Sequence, residues 1–279
     1  MENAECELIA EVSSYNRTGP VRDDALYPEC LPGIRVSWRT VKQNITISKE
    51  DYLKAVLEAE SEGQTVISST LAHWLSVSPP AVTMALRRLK RDGYVDVRAD
   101  GVVKLTARGQ ETAYRTALRH HLIERMLAEM FGMEWFRVHD EAERLEHAVS
   151  PDFEAMLMQK LGEKGTCPHG NAVLPETTAQ MKKRGLVPLF EAAEHMKYEV
   201  ASLYERDPKL LTFLHEMGID PCAPVRVVSR NYDQTVTVRT KNGKTTLGRP
   251  AAEKVWVKQT PEQTAGSKHH KKRKGKPGS

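Results

Sequence analysis

The stretch from Ser78 to Leu105 leaves this chain little choice of topology. Ser78-Pro79-Pro80 is a helix start, because prolines are tolerated in a first helical turn, where their missing N–H costs no bond. Val82, Leu86 and Leu89 then recur at helical spacing up to Asp92-Gly93, which ends the helix. Two short β-type runs follow, Tyr94–Arg98 and Val102–Leu105, joined by the hairpin signal Ala99-Asp100-Gly101. Upstream, Ser48 and Asp51 have capping-box spacing ahead of the stripe Tyr52, Leu53, Val56, Leu57, and a second short helix fits Ser69–Leu75. Three helices followed by a β-hairpin predict a winged helix-turn-helix.

Thr106 is placed to cap a long helix to about Met130, with Ala117, Leu122, Ile123, Met126, Leu127 and Met130 apolar. Another helix is expected over about Glu134–Ala148. Ser150-Pro151-Asp152 opens a further one that runs to Leu161, with Gly162 as its stop. Residues 163–185 mix Gly, Pro and Thr without a period and read as a linker. Beyond them Val225–Val228, Thr235–Arg239 and Lys254–Val257 read as short strands, with Asn242-Gly243 as a hairpin turn and a helix near Pro208–Met217. The expected class is mainly α with small β: a winged helix over 44–110, a helical unit over 111–172, a linker over 173–185 and a small β-barrel over 186–258. Residues 1–43 and 259–279 are expected to be a poorly ordered extension and a basic disordered tail.

Charge has to be read locally. The formal net charge is +4, but the tail from Lys268 to Ser279 carries six basic residues and no acidic one, so the remainder sums to −2. Residues 87–108 hold Arg87, Arg88, Lys90, Arg91, Arg98, Lys104 and Arg108 against three aspartates, a local +4 at the end of the third helix and the wing. Such residues neutralise phosphates without reading sequence. The longest stretch free of Asp, Glu, Lys and Arg, Gly63–Leu86, is too rich in Ser, Thr, Gln and His to span a bilayer. No apolar leader opens the chain, and Cys6, Cys30, Cys167 and Cys222 show no zinc spacing, so a cytoplasmic protein with reduced thiols and no membrane partner is expected.

The run VHDEAERLEH, Val138–His147, carries the chemistry. His139, Glu143 and His147 stand at i, i+4 and i+8, with Glu146 three beyond Glu143, so the four lie near one helical face. On the preceding long helix His120 and Glu124 are again i, i+4. The ordinary reading of a His–Glu pair is a solvated, salt-bridged face. Six such residues on adjacent helices, separated by apolar positions, instead form a cage for a divalent transition metal. Carboxylates and imidazoles without sulfur in the same run favour Mn(II) first and Fe(II) second.

The stretches EDYLKAVLEAESEG, LAHWLSVSPPAVTMALRRLKRDGYV, LTARGQ, LRHHLIERML, VHDEAERLEH and CPHGN, in that order over about residues 48–172, closely resemble the diphtheria-toxin-repressor family of metal-dependent transcriptional regulators. LLTFLHEMGIDPCAPVRVV and TLGRPAAEKVWV resemble the Src-homology-3-like barrel that many members carry, with Cys222 where a glycine is usual. The resemblance implies a primary, activating site at Asp51, Glu143, Glu146 and His147, and an ancillary site at His120, Glu124 and His139, with Glu205 as a possible further ligand. Asp51 and Glu143 match the manganese-responsive branch, whereas Lys54 stands where the short manganese regulators place another carboxylate. Asp51 also has a plain role open to it as capping partner of Ser48.

Base readout is expected from the start of the third helix, at Ser78, Pro80, Ala81, Thr83 and Met84, flanked by phosphate contacts from Arg87, Arg88, Arg91 and Arg98. Ala81 and Met84 offer apolar contact to thymine methyls but little hydrogen-bond discrimination, which predicts relaxed or shape-based specificity. The expected function is a homodimeric repressor that binds double-stranded operator DNA when loaded with metal and controls metal-uptake genes, with no small-molecule substrate and no catalytic residue. Two competing readings are a helical His/Glu metalloenzyme and a winged-helix protein that no longer responds to metal.

Overall fold

The structure, a computed structural model, describes residues 47–162 and 165–260. The expectations for residues 1–43 and for the basic tail therefore lie outside the described residues, apart from Gln259 and Thr260. The first unit runs α1 (Ile47–Ser61), α2 (Ser68–Trp74), α3 (Pro79–Arg91), β1 (Val95–Val97) and β2 (Val103–Leu105). Pro79 and Pro80 occupy the first turn of α3, whose Val82, Leu86 and Leu89 are buried against Leu53, Val56, Leu71 and Tyr94. The hairpin pairs Val95 with Leu105 and Val97 with Val103, and the Val103 N–H donates to Val66 O at 2.9 Å, which ties the wing to the loop before α2.

Helix α4 (Ala107–Arg125) starts directly behind the wing, capped by the Thr106 hydroxyl, which accepts from the Gly109 N–H. Gly109 is required there, because a Cβ would lie 1.9 Å from Tyr94 O. The helix ends in one π-helical turn, Met126–Met130. Next come α5 (Val138–Leu145) and α6 (Pro151–Leu161), the latter capped by Ser150. α5 starts four residues later than the periodicity predicts. Trp135 and Phe136 are spent on packing against the C-terminal core, where the Phe136 ring stacks on His215 at 4.4 Å. The expected linker contains a helix, α7 (Thr178–Lys183), opened by a reciprocal cap between Thr177 and Gln180.

The remaining elements are β3 (Leu186–Pro188), β4 (Lys197–Leu203), α8 (Pro208–Glu216), β5 (Pro224–Arg230), β6 (Thr235–Thr240), β7 (Gly243–Gly248), α9 (Arg249–Ala252) and β8 (Val255–Gln259). They correct the expected barrel. The six strands form one antiparallel sheet in the order β3-β8-β4-β5-β6-β7, and the outer strands β3 and β7 are not paired with each other. Bulges between Val200 and Ser202 and between Val227 and Ser229 bend the sheet. β3, with three residues paired only to β8, does not close it. A separate apolar core of Leu211, Leu214, Ile219, Val236, Val238 and Val257 stabilises this unit.

Candidate metal centre

α4 and α5 bring their His and Glu residues to one layer, and three other segments complete it: α1 from the first unit, the turn that carries Cys167 and His169, and the loop around Glu205 from the sheet. On the α1 side, Asp51 Oδ1 lies 2.7 Å from His147 Nε2, and Glu146 Oε1 lies 3.4 Å from the same nitrogen. The other ring nitrogen, Nδ1, is 2.9 Å from Glu50 Oε2. Glu50 was not foreseen, and it sits where a carboxylate fixes the tautomer of a ligating imidazole. Asp51 is thus turned toward His147. Its carboxylate and that of Glu50 push the imidazole up to about 9, against a smaller effect of burial.

Glu143 and Glu146 share a different partner. The Lys54 ammonium lies 2.9 Å from Glu143 Oε1 and 2.8 Å from each oxygen of Glu146. Burial works against the charged amine, but Glu146, Glu58 and Glu143 hold its pKa above the ordinary lysine value. Burial likewise opposes ionised Glu143, yet Lys54 brings it down to about 2. Donor atoms within 4.8 Å of one another fall into two groups, Asp51/Glu146/His147 and His120/Glu143/Glu146. The four residues of the expected primary site therefore do not meet at one point; Glu146 belongs to both groups and Lys54 stands on it.

The second cluster is deeper. His120 Nε2 lies 3.0 Å from both Glu124 Oε1 and His139 Nδ1, while His120 Nδ1 lies 2.7 Å from Glu146 Oε2. Burial and the Lys54 ammonium oppose a charged His120, but Glu124 and Glu146 outweigh them and push it up to about 10. Glu205, in the loop after β4, joins His120, Glu124 and His139 as a donor group.

Sequence spacing missed three residues here. His121 Nε2 lies 3.2 Å from Glu205 Oε1, and Cys167 Sγ lies 3.5 Å from Glu205 Oε2. His169 Nδ1 lies 3.5 Å from both Glu124 Oε2 and Glu205 Oε2. His121, Glu124, Cys167 and Glu205 form a further donor group. The turn that carries Cys167 and His169 is pressed onto β4, where a Cβ on Gly170 (φ +84°) would meet Ala201 O at 2.2 Å. Only the CPHGN motif hinted at it.

Two buried atoms of this cluster, Glu124 Oε2 and His169 Nε2, have no hydrogen-bond partner among the described residues. Leaving such atoms orphaned is costly; Glu124 stands in two of the donor groups, so a cation held there would satisfy its Oε2, whereas His169 turns Nδ1 toward the carboxylates and belongs to neither group. The residues present fit a divalent metal. The sulfur of Cys167 adds a soft donor that the α5 run lacks, so ligand softness ranks metals less sharply here than the sequence suggested.

Of the residues expected to meet DNA, Ser78, Pro80, Ala81, Thr83, Met84, Arg87, Arg88 and Arg91 are all exposed on α3 or at its start, and Arg98 is exposed just after β1. A cleft of about 1090 Å³ separates this unit from α5, lined by Asp51, Lys54, Met84, Arg88, Glu143 and His147.

A winged helix with an open recognition face, joined through α4 to a His/carboxylate cage, is the build of a metal-responsive DNA-binding regulator. Comparison with known proteins agrees. The families described as iron dependent repressor, N-terminal DNA binding domain, and iron dependent repressor, metal binding and dimerisation domain, match residues 44–103 and 106–175, and the FeoA domain matches 187–259. The diphtheria toxin repressor of Corynebacterium jeikeium is 30% identical over 199 residues, covering 71% of this chain and 79% of that protein. The iron-dependent repressor IdeR of Mycobacterium bovis is 35% identical over 191 residues, covering 64% and 82%. A solved manganese-dependent transcriptional repressor in complex with manganese superposes with a TM-score of 0.67 at 31% identity, over 76% of this chain and all of that one. ScaR with bound Zn2+ gives 0.64 at 27%, over 76% and 99%. The chain belongs to the diphtheria-toxin-repressor family of metal-dependent transcriptional repressors. It is a DNA-binding regulator with a divalent metal cofactor and not an enzyme.

Proposed function

We propose that the protein represses metal-uptake genes in the cytoplasm, as a homodimer that binds operator DNA when loaded with Mn(II), with Fe(II) as second choice. In this reading residues 44–110 bind DNA, 111–172 hold metal and dimerise, 173–185 link, and 186–258 form the accessory sheet unit. Asp51, Glu143, Glu146 and His147 are the primary ligands; His120, Glu124, His139 and Glu205 are the ancillary ones. The observation that carries the reading is the 2.7 Å approach of Asp51 to His147, because it joins the first helix of the DNA-binding unit to the helix of the cage.

Asp51 on α1 and Glu143, Glu146 and His147 on and just after α5 would hold a divalent ion, which would supply positive charge for the carboxylates of both helices to share. Asp51 then orients α1, and with it α3, relative to α4 and α5. Ser78, Pro80, Ala81, Thr83 and Met84 are positioned to face base edges, while Arg87, Arg88, Arg91 and Arg98 take phosphates and make affinity salt-dependent. Linkage requires that metal and DNA raise affinity for each other by the same factor. Phe131 and Met156, 70% and 63% exposed, together with Met130 and Phe153, support an apolar contact between two copies. The all-N/O donor set around His147 supports Mn(II) or Fe(II) at the primary site. Calorimetric titration of metal-free protein with Mn(II), Fe(II) and Zn(II), each paired with a DNA-shift assay, tests this. Mn(II) is expected to give the largest gain in DNA affinity, and an equal gain from Zn(II) would sink the preference.

A further inference from the structure

Lys54 is a cation that the primary cage already holds on its ligands Glu143 and Glu146, while Arg119 lies 3.6 Å from Glu50 at its edge. The Lys54 side chain is 4% exposed, and its three N–H groups meet three carboxylate oxygens, Glu143 Oε1 and both oxygens of Glu146. Glu146 is the residue that the two donor groups share, and its Oε2 also lies 2.7 Å from His120 Nδ1. The ammonium thus bridges Glu143 and Glu146, while Asp51 and His147 group with Glu146 and not with Glu143, and a divalent cation brought to all four ligands would face a positive charge at hydrogen-bonding distance from two of them. An alternative seat exists: Lys54 lines the 1090 Å³ cleft between α1 and α5, and Glu58, one helical turn further along α1 and already paired with Arg206, has a carboxylate that the ammonium can share.

The geometry points to Lys54 as a tethered counter-ion that holds Glu143 and Glu146 in the metal-free protein and withdraws from them when the four primary ligands act together, so that this lysine sets the metal concentration to which the repressor responds. The inference rests on the primary-site reading proposed above and adds its threshold. Lys54 also links α1 to α5, as metal would, so the metal-free protein keeps the two helices in contact rather than releasing them.

The test uses the full chain and Mn(II) alone, with free Mn(II) counted by its paramagnetic resonance signal. Lys54→Met removes the charge and keeps much of the length, and Lys54→Gln, which keeps donors, covers the case in which the methionine variant folds poorly. Either is expected to bind Mn(II) about ten-fold or more tightly than the parent, with a lower Tm without metal and a larger Tm rise on adding it. Lys54→Arg should keep the parent's affinity. Adding His147→Ala to Lys54→Met should erase the gain, which assigns it to the primary site. Unchanged or weaker Mn(II) binding in both neutral variants overturns the counter-ion role while leaving the site reading intact. A gain that survives His147→Ala overturns the primary-site reading itself.

Discussion

Glu50 and His147, 97 positions apart, meet across α1 and α5 with Oε2 2.9 Å from Nδ1. The contact leaves Nε2 directed at Asp51, 2.7 Å away. Replacing Glu50 with Gln removes the charge behind the ring while keeping an acceptor. Losing such a carboxylate typically lowers metal affinity by about 10- to 100-fold. Manganese titration of Glu50→Gln should show a loss in that range with an unchanged circular dichroism spectrum, and unaltered affinity would remove Glu50 from the site.

The same imidazole predicts the pH response. Asp51 and Glu50 raise His147 to about 9, so metal has to displace a proton below that pH. Log affinity for Mn(II) should climb by about one unit per pH unit between 6.5 and 8.5. For the metal-free fold the sign is opposite. A raised folded-state pKa gives stability that is complete below the unfolded value and is lost as pH rises through about 9. Chemical denaturation across this window should show the metal-free protein weakening while metal binding strengthens, and parallel trends would contradict the assignment.

Arg206 is expected to couple the sheet to the DNA-binding unit. It follows Glu205 directly, pairs with Glu58 on α1, donates to Trp74 O at 3.4 Å and stacks its guanidinium 4.6 Å from the Trp74 ring. Arg206→Ala should cost about 1–3 kcal/mol in urea denaturation and raise amide exchange in α2. A neutral result would mean that the two units rest together without this latch.

Cys222 has φ +60°, a left-handed conformation that costs an L residue about 1–2 kcal/mol. It occupies the position at which the resemblance expects glycine. Cys222→Gly should therefore raise stability by about 1 kcal/mol in the same denaturation experiment, and a loss would show that the cysteine side chain contributes more than its backbone costs.

What the sequence revealed followed the range of the forces involved. α3, the wing and α6 were legible because Pro79-Pro80, Asp100-Gly101 and Ser150-Pro151 are local signals. α7 was not, since Thr177 and Gln180 cap it within a Gly/Pro/Thr-rich stretch whose apolar residues show no period. The open edge of the sheet was equally hidden, because pairing between β3 and β7 is a property of register and not of either segment. In the site, spacing grouped His139, Glu143, Glu146 and His147. Spacing could not show that Lys54 binds Glu143 and Glu146, that Cys167 reaches Glu205, or that His169 reaches Glu124 and Glu205. Those contacts span dozens of residues and depend on how the helices and the sheet are packed.

Ligands on α1 and α5 are expected to make DNA affinity depend on metal. The most direct test of this dependence is DNA affinity with and without Mn(II), measured for the parent and for His147→Ala on a duplex selected by the parent protein from random sequence. Metal should raise the parent's affinity by about 5- to 150-fold, the usual range of coupling between two sites, and leave that of His147→Ala unchanged. An equal metal response in both proteins would contradict this role of the ligands.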